Sequence, residues 1–101
     1  MLSRQQKISL KKQLISCLED EKEVRKIVIF GSFLESSEPH DLDVAIFQDS
    51  TEEYLTLAMK YRKKIRPITR IIPVDILPLK IDADSGTFMD EIAQGDIIYE
   101  R

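Results

Sequence analysis

An α/β or α+β sandwich built on a single sheet is the fold this sequence predicts, because helix-period and strand-like segments alternate along it. Leu10, Leu14, Cys17 and Leu18 recur at helical spacing, and Tyr54, Leu55, Ala58, Met59, Arg62 and Ile65 do so again. Short aliphatic runs, Ile27–Phe30, Val44–Phe47 and Ile71–Leu77, stand between and after them. With 101 residues there is room for one domain over 1–101 and one core, not for separate catalytic and substrate domains.

Ser3 and Gln6 have the spacing of a capping box, which opens a first helix over about 4–19. The charged turn Glu19–Glu23 leads into a first strand, about 25–30, and a second follows over about 42–47. Ser50, three residues before Glu53, repeats the capping pattern ahead of a second helix that Pro67 ends. Ile71–Leu77 reads as a third strand, with Pro73 at an edge or beside a bulge because it cannot donate to a ladder. A short helix around 87–94, from Thr87 as N-cap to Gly95 as its stop, precedes a closing strand at Ile97–Tyr99. The chain carries no internal repeat, low-complexity tract or flexible linker.

The net charge of −3 argues against a general nucleic-acid coat, whose affinity comes from excess Lys and Arg. Cys17 is the only cysteine, so an intrachain disulfide is impossible and a reducing compartment is expected. No apolar run approaches the roughly 20 residues of a membrane span, and the polar N-terminus lacks a signal-peptide pattern. A cytoplasmic single domain is the expectation.

The chemistry concentrates in Gly31-Ser32 and in Asp41, Asp43 and Asp75. Glycine lets the chain leave a strand at dihedral angles other residues avoid and lets backbone approach a ligand closely. Ser32 adds a hydroxyl and an amide, and a helical turn at 33–36 would favour phosphate at its start. Asp41 and Asp43, one residue apart, share a face of an extended strand. Like charges about 6 Å apart repel by roughly 2–3 kcal/mol at an effective dielectric near 20, and Asp75, between Val74 and Ile76, adds a third acid. Three acids on adjacent strands are most simply reconciled by Mg²⁺, which takes a few carboxylates plus waters and substrate phosphates.

In this order, Gly31-Ser32, Asp41-x-Asp43 and Asp75 resemble the nucleotidyltransferase superfamily, and specifically the minimal nucleotidyltransferase domains that pair with HEPN-domain toxins. The resemblance runs through "IVIFGSF", "DLDVAIF", "VDIL" and "FMDEIAQGDIIYER". It implies a single mixed sheet flanked by helices and transfer of a nucleoside monophosphate from ATP to a hydroxyl. Gly31 and Ser32 would hold the triphosphate, and Asp41 and Asp43 would ligate two Mg²⁺ ions. Asp75 would complete the first metal site and help deprotonate the acceptor. The implied partner is a HEPN toxin carrying the acceptor, a tyrosine near its ribonuclease site, with this chain as the antitoxin. The Phe33–His40 segment is shorter than the family usually shows and carries Glu35 and Glu38 where relatives often carry Arg.

His40 could act as base or metal contact, or stand solvated in a turn. Lys60, Arg62, Lys63, Lys64, Arg66 and Arg70 form a basic cluster that could be a solvated face or touch a nucleotide, RNA or an acidic partner. Asp82-Ala83-Asp84-Ser85-Gly86 lacks the third acid and terminal Glu of a calcium loop and reads as a capping loop. Cys17, Tyr54 and Tyr61 read as packing residues, and Glu53, Tyr54 and the 78–86 loop could shape an acceptor surface. Two further functions stay open: a catalytically weak module that neutralises a toxin by occlusion, and a small-molecule nucleotidyltransferase whose partner supplies the acceptor site. A nucleotide-sugar glycosyltransferase using Asp-x-Asp is disfavoured by length.

Overall fold

The computed structural model describes residues 2–81 and 92–101. Helix α1 (Arg4–Leu18) begins at the expected capping box: the Gln6 N–H donates to Ser3 Oγ, and the Ser3 N–H donates to Gln6 Oε1. Leu10, Leu14 and Leu18, four residues apart, form its buried stripe.

Strands β1 (Val24–Phe30) and β2 (Leu42–Gln48) pair antiparallel, and the one-turn helix α2 (Ser32–Glu35) lies between them in sequence. Helices α3 (Tyr54–Lys64) and α4 (Arg66–Thr69) lead to β3 (Val74–Lys80), which runs parallel to β2. The closing strand β4 (Asp96–Glu100) pairs antiparallel with β1, giving the order β3-β2-β1-β4. The sheet is therefore single and mixed. Its two central strands are near-continuous apolar runs because both of their faces are covered.

Strand alternation sorts these residues into two layers. Ile27, Ile29, Leu42, Val44 and Ile46 pack with Leu10, Leu14, Leu57, Tyr61 and Ile65 of the helices, whereas Val28, Phe30, Ala45, Phe47 and Ile92 form a cluster on the opposite face. No helix among the described residues is long and apolar enough to cross a membrane.

Several boundaries differ from the sequence expectations. Ser50 does not cap α3; its Oγ accepts from the Glu52 N–H, and Glu53 occupies the N-cap without a side-chain bond. The helix ends at Lys64, before Pro67, which sits in the first turn of α4, where a missing N–H costs nothing. The third strand begins three residues later than expected. Pro73 precedes it, its carbonyl accepting from the Leu42 N–H at 2.9 Å, and Pro78 lies within β3, tolerated because β3 is an edge strand. Tyr54, Leu55 and Met59, read as part of the helical core stripe, are 53–67% exposed. Ala58, Tyr61 and Ile65 are buried as expected, and Leu57 joins them on the buried face. The helix expected around 87–94 lies mostly outside the described residues, as does the Asp82–Gly86 loop.

Candidate functional site

The site forms where β1 ends and where β2 and β3 begin. In the parallel register Asp43 stands beside Asp75, and in the antiparallel register Phe30 stands opposite Asp43, so the Gly31 turn arrives next to both acids. Asp41 lies one residue before β2, and the bond from the Leu42 N–H to Pro73 carries the pairing to the very start of the strands. Because Leu42, Val44 and Ile76 point into the helix-side core, Asp41, Asp43 and Asp75 take the opposite face.

One carboxylate oxygen from each of Asp41, Asp43 and Asp75 lies within 4.8 Å of the others. Asp41 and Asp43 are half-buried and Asp75 is exposed. Like charges at that separation repel by about 3 kcal/mol per pair at an effective dielectric near 20. Three oxygen donors converging in this way suit a hard cation such as Mg²⁺, whose remaining positions go to water and substrate oxygen. His40, weighed as a metal contact, is not part of the group.

Gly31 is held to glycine by its conformation and by its neighbour. Its φ of 81° and ψ of −156° belong to a region that side chains avoid, and an added Cβ would stand 2.6 Å from Asp43 Oδ2. The turn and the acid thus share one space. Past Gly31 the chain winds once through α2, closed by Leu34 N–H to Gly31 O and Ser36 N–H to Ser32 O. The first N–H groups of such a turn have no intrahelical acceptor. Beside them opens a cavity of about 330 Å³ lined by Gly31, Ser32, Leu34, Glu35 and Gln94. A larger one, about 490 Å³, lies where Glu38–His40 meet Ile71–Pro73, in the segments that lead to Asp41 and Asp75. His40 is exposed and lines it.

The sequence reading missed Lys7. From α1 its Nζ donates to Phe33 O at 2.7 Å and to Ser36 O at 2.6 Å, and it lies 5.1 Å from the Phe33 ring centroid. Nothing in the local pattern marks it, since the contact spans 26 residues or more.

The basic cluster at 60–70 divides in two. Lys60 pairs with Glu23 at 2.9 Å and lies 3.5 Å from Glu21 and 3.6 Å from Glu52. Lys64 pairs with Asp20 at 2.8 Å and Glu21 at 3.3 Å. Arg62, Lys63, Arg66 and Arg70 remain exposed. Tyr61 packs in the core as expected, with its hydroxyl donating to Glu23 at 2.7 Å; burial, then that bond, pushes its pKa up. Burial opposes the Glu23 charge, but the bonds from Lys60 and Tyr61 prevail and hold its carboxyl below the usual range. Cys17 is half-buried against the core, and burial raises its thiol pKa.

The fold recurs in solved toxin–antitoxin complexes. A chain of a mutant MntA–HepT complex matches with a TM-score of 0.68 at 16% identity, over 90% of this chain and 73% of that one. A chain from the tri-AMPylated Shewanella oneidensis HEPN toxin in complex with MNT antitoxin gives 0.63 at 18% identity, over 94% and 73%. A toxin–antitoxin structure with AMP-PNP gives 0.63 at 18%, over 90% and 73%. No curated protein sequence matches the chain. The family model described as polymerase beta nucleotidyltransferase matches residues 12–101. With nearly the whole chain inside that match, the protein belongs to the polymerase beta nucleotidyltransferase family.

Proposed function

We propose that the protein, as one minimal nucleotidyltransferase domain, transfers AMP from ATP to a hydroxyl of a partner protein, and so acts as the antitoxin of a HEPN-domain ribonuclease toxin. The observation that carries this reading is the convergence of Asp41, Asp43 and Asp75 within 4.8 Å beside the Gly31-Ser32 turn. Similar folds in complexes described as an AMPylated HEPN toxin with MNT antitoxin, and as a toxin–antitoxin pair with AMP-PNP, support the donor and the partner.

Gly31 and Ser32 bind the triphosphate through backbone N–H groups and the Ser32 hydroxyl. Asp41 and Asp43 would hold Mg²⁺, with Asp75 completing the set, and the metal would supply charge neutralisation for the nucleotide phosphates. The acceptor oxygen attacks the α-phosphorus, the bond to the bridging oxygen breaks, pyrophosphate leaves, and Asp75 takes the hydroxyl proton. Most of the acceleration comes from positioning and charge compensation. In this reading the acceptor hydroxyl sits on the partner protein, as the similar complexes with a HEPN toxin suggest. All components are cytoplasmic in this reading.

The test is incorporation of labelled AMP into the purified HEPN partner with MgATP, read by intact mass. A shift in multiples of one AMP unit with wild type, lost in Asp43→Ala, supports the transferase. Equal labelling by both proteins refutes it. Full protection of cells by Asp41→Ala/Asp43→Ala, with the complex retained, would instead favour occlusion.

A further inference from the structure

We infer that Lys7, on α1, is the positioning residue that sets the phosphate-binding turn, an inference that rests on the reading of Gly31-Ser32 as the triphosphate site. A single helical turn is not self-supporting, because nucleation fixes several dihedral angles for one hydrogen bond. Helix α2 is four residues long, and its last carbonyls have no acceptor role within the helix. Lys7 supplies what is missing. Its ammonium donates to the carbonyls of Phe33 and Ser36, at 2.7 and 2.6 Å, placing a cation at the negative end of the turn.

The lysine is half-buried and forms no ion pair with another described residue, so its charge serves backbone dipoles and not a carboxylate. Lys11, one turn along α1, shows the ordinary alternative, pairing with Asp96 at 2.8 Å. Two further contacts hold the same segment: Phe33 is 1% exposed beneath the turn, and the Leu2 N–H donates to Ser37 O at 3.2 Å. The start of α1 thus brackets residues 33–37 from one side while Asp43 meets Gly31 from the other. Fixing the turn orients its N–H groups before nucleotide arrives. Lys7 itself touches no reacting atom.

Lys7→Met, Lys7→Arg and the control Lys11→Met are compared with wild type. MgATP affinity is read by calorimetric titration, AMP transfer by KM and kcat, and the free protein by amide hydrogen exchange. Lys7→Met is expected to raise Kd and KM for MgATP about tenfold, with kcat within threefold. Exchange at residues 32–36 should quicken about tenfold while β1 and β2 stay unchanged. Lys7→Arg should restore KM to within threefold, and Lys11→Met should leave it unaltered even if Tm falls. A lower Tm with KM within twofold of wild type would make Lys7 merely structural and overturn the inference. If Lys7→Met does not fold, Lys7→Gln, which keeps one donor, takes its place under the same criterion. If wild type neither binds nor uses MgATP, the transferase reading fails by itself. The exchange measurement then decides whether Lys7 sets the turn, unchanged exchange refuting it.

Discussion

The sheet carries an acidic group at each end, and the two groups are built in opposite ways. Before β1 and after β2 stand Asp20, Glu21, Glu23 and Glu52, met by Lys60 and Lys64 and by the hydroxyl of Tyr61. About 20 Å away along seven-residue strands stand Asp41, Asp43 and Asp75. Neither Asp41 nor Asp75 forms an ion pair with any other described residue, although both lie within reach of a second carboxylate. The first group is compensated inside the chain and holds α3 to the turn after α1. Asp41 and Asp75 have no such counter-charge among the described residues. Acid content alone does not distinguish structure from site; the location of the counter-charge does.

Neutralising an acid should therefore have different consequences at the two ends. The largest effect is expected from Asp43→Ala, which should cut AMP transfer at least 10³-fold in a turnover assay. Gly31→Ala should reduce transfer by about 10–100-fold and lower stability by about 1–3 kcal/mol in urea unfolding, since the new Cβ meets Asp43 Oδ2 in a strained backbone. Glu23→Ala should keep transfer within about threefold but cost about 1–3 kcal/mol by stranding the Tyr61 hydroxyl and removing the nearest carboxylate partner of Lys60.

The same carboxylate gives a pH signature. Its folded pKa is depressed, so its contribution is present above the unfolded value near 4.5 and is lost as pH falls through the folded value. Tm should drop below about pH 4.5 in wild type, and less steeply in Glu23→Ala. The smallest effect is expected from Asp75→Asn. Without divalent metal it should raise Tm by about 2–5 °C by relieving repulsion, and it should shrink the further rise that Mg²⁺ causes in wild type. A fall in Tm would show that Asp75 is compensated from within the chain.

The sequence displays the second acidic group more plainly than the first. Asp43 and Asp75 sit inside apolar strands and Asp41 one residue before β2, where alternation fixes their face and each acid contradicts its neighbours. Glu23 and Lys60 are ordinary surface residues in sequence, and only the docking of α3 against the turn after α1 joins them. The buried face of α3 is legible only in part for a related reason: Ala58, Tyr61 and Ile65 pack as the pattern suggests, while Tyr54, Leu55 and Met59 face outward. Tyr54, Leu55 and Met59 make as good an apolar stripe as Leu57, Ala58, Tyr61 and Ile65, and periodicity cannot choose between registers some 100° apart. Tertiary packing chose the one that sends the Tyr61 hydroxyl to Glu23. The late start of β3 follows from Ile71 and Ile72, whose N–H groups donate to Ile68 O in the turn that closes α4, while the strand continues through Pro78 because it is an edge.

The contact between Gly31 and Asp43 has an evolutionary corollary. Positions 31 and 43 cannot drift separately: any side chain at 31 displaces the oxygen at 43, and a reshaped residue 43 alters the room left at 31. Their substitutions should be strongly epistatic, with a double replacement costing far less than the two single losses combined. A lineage that gives up one of this pair therefore has little left to preserve in the other.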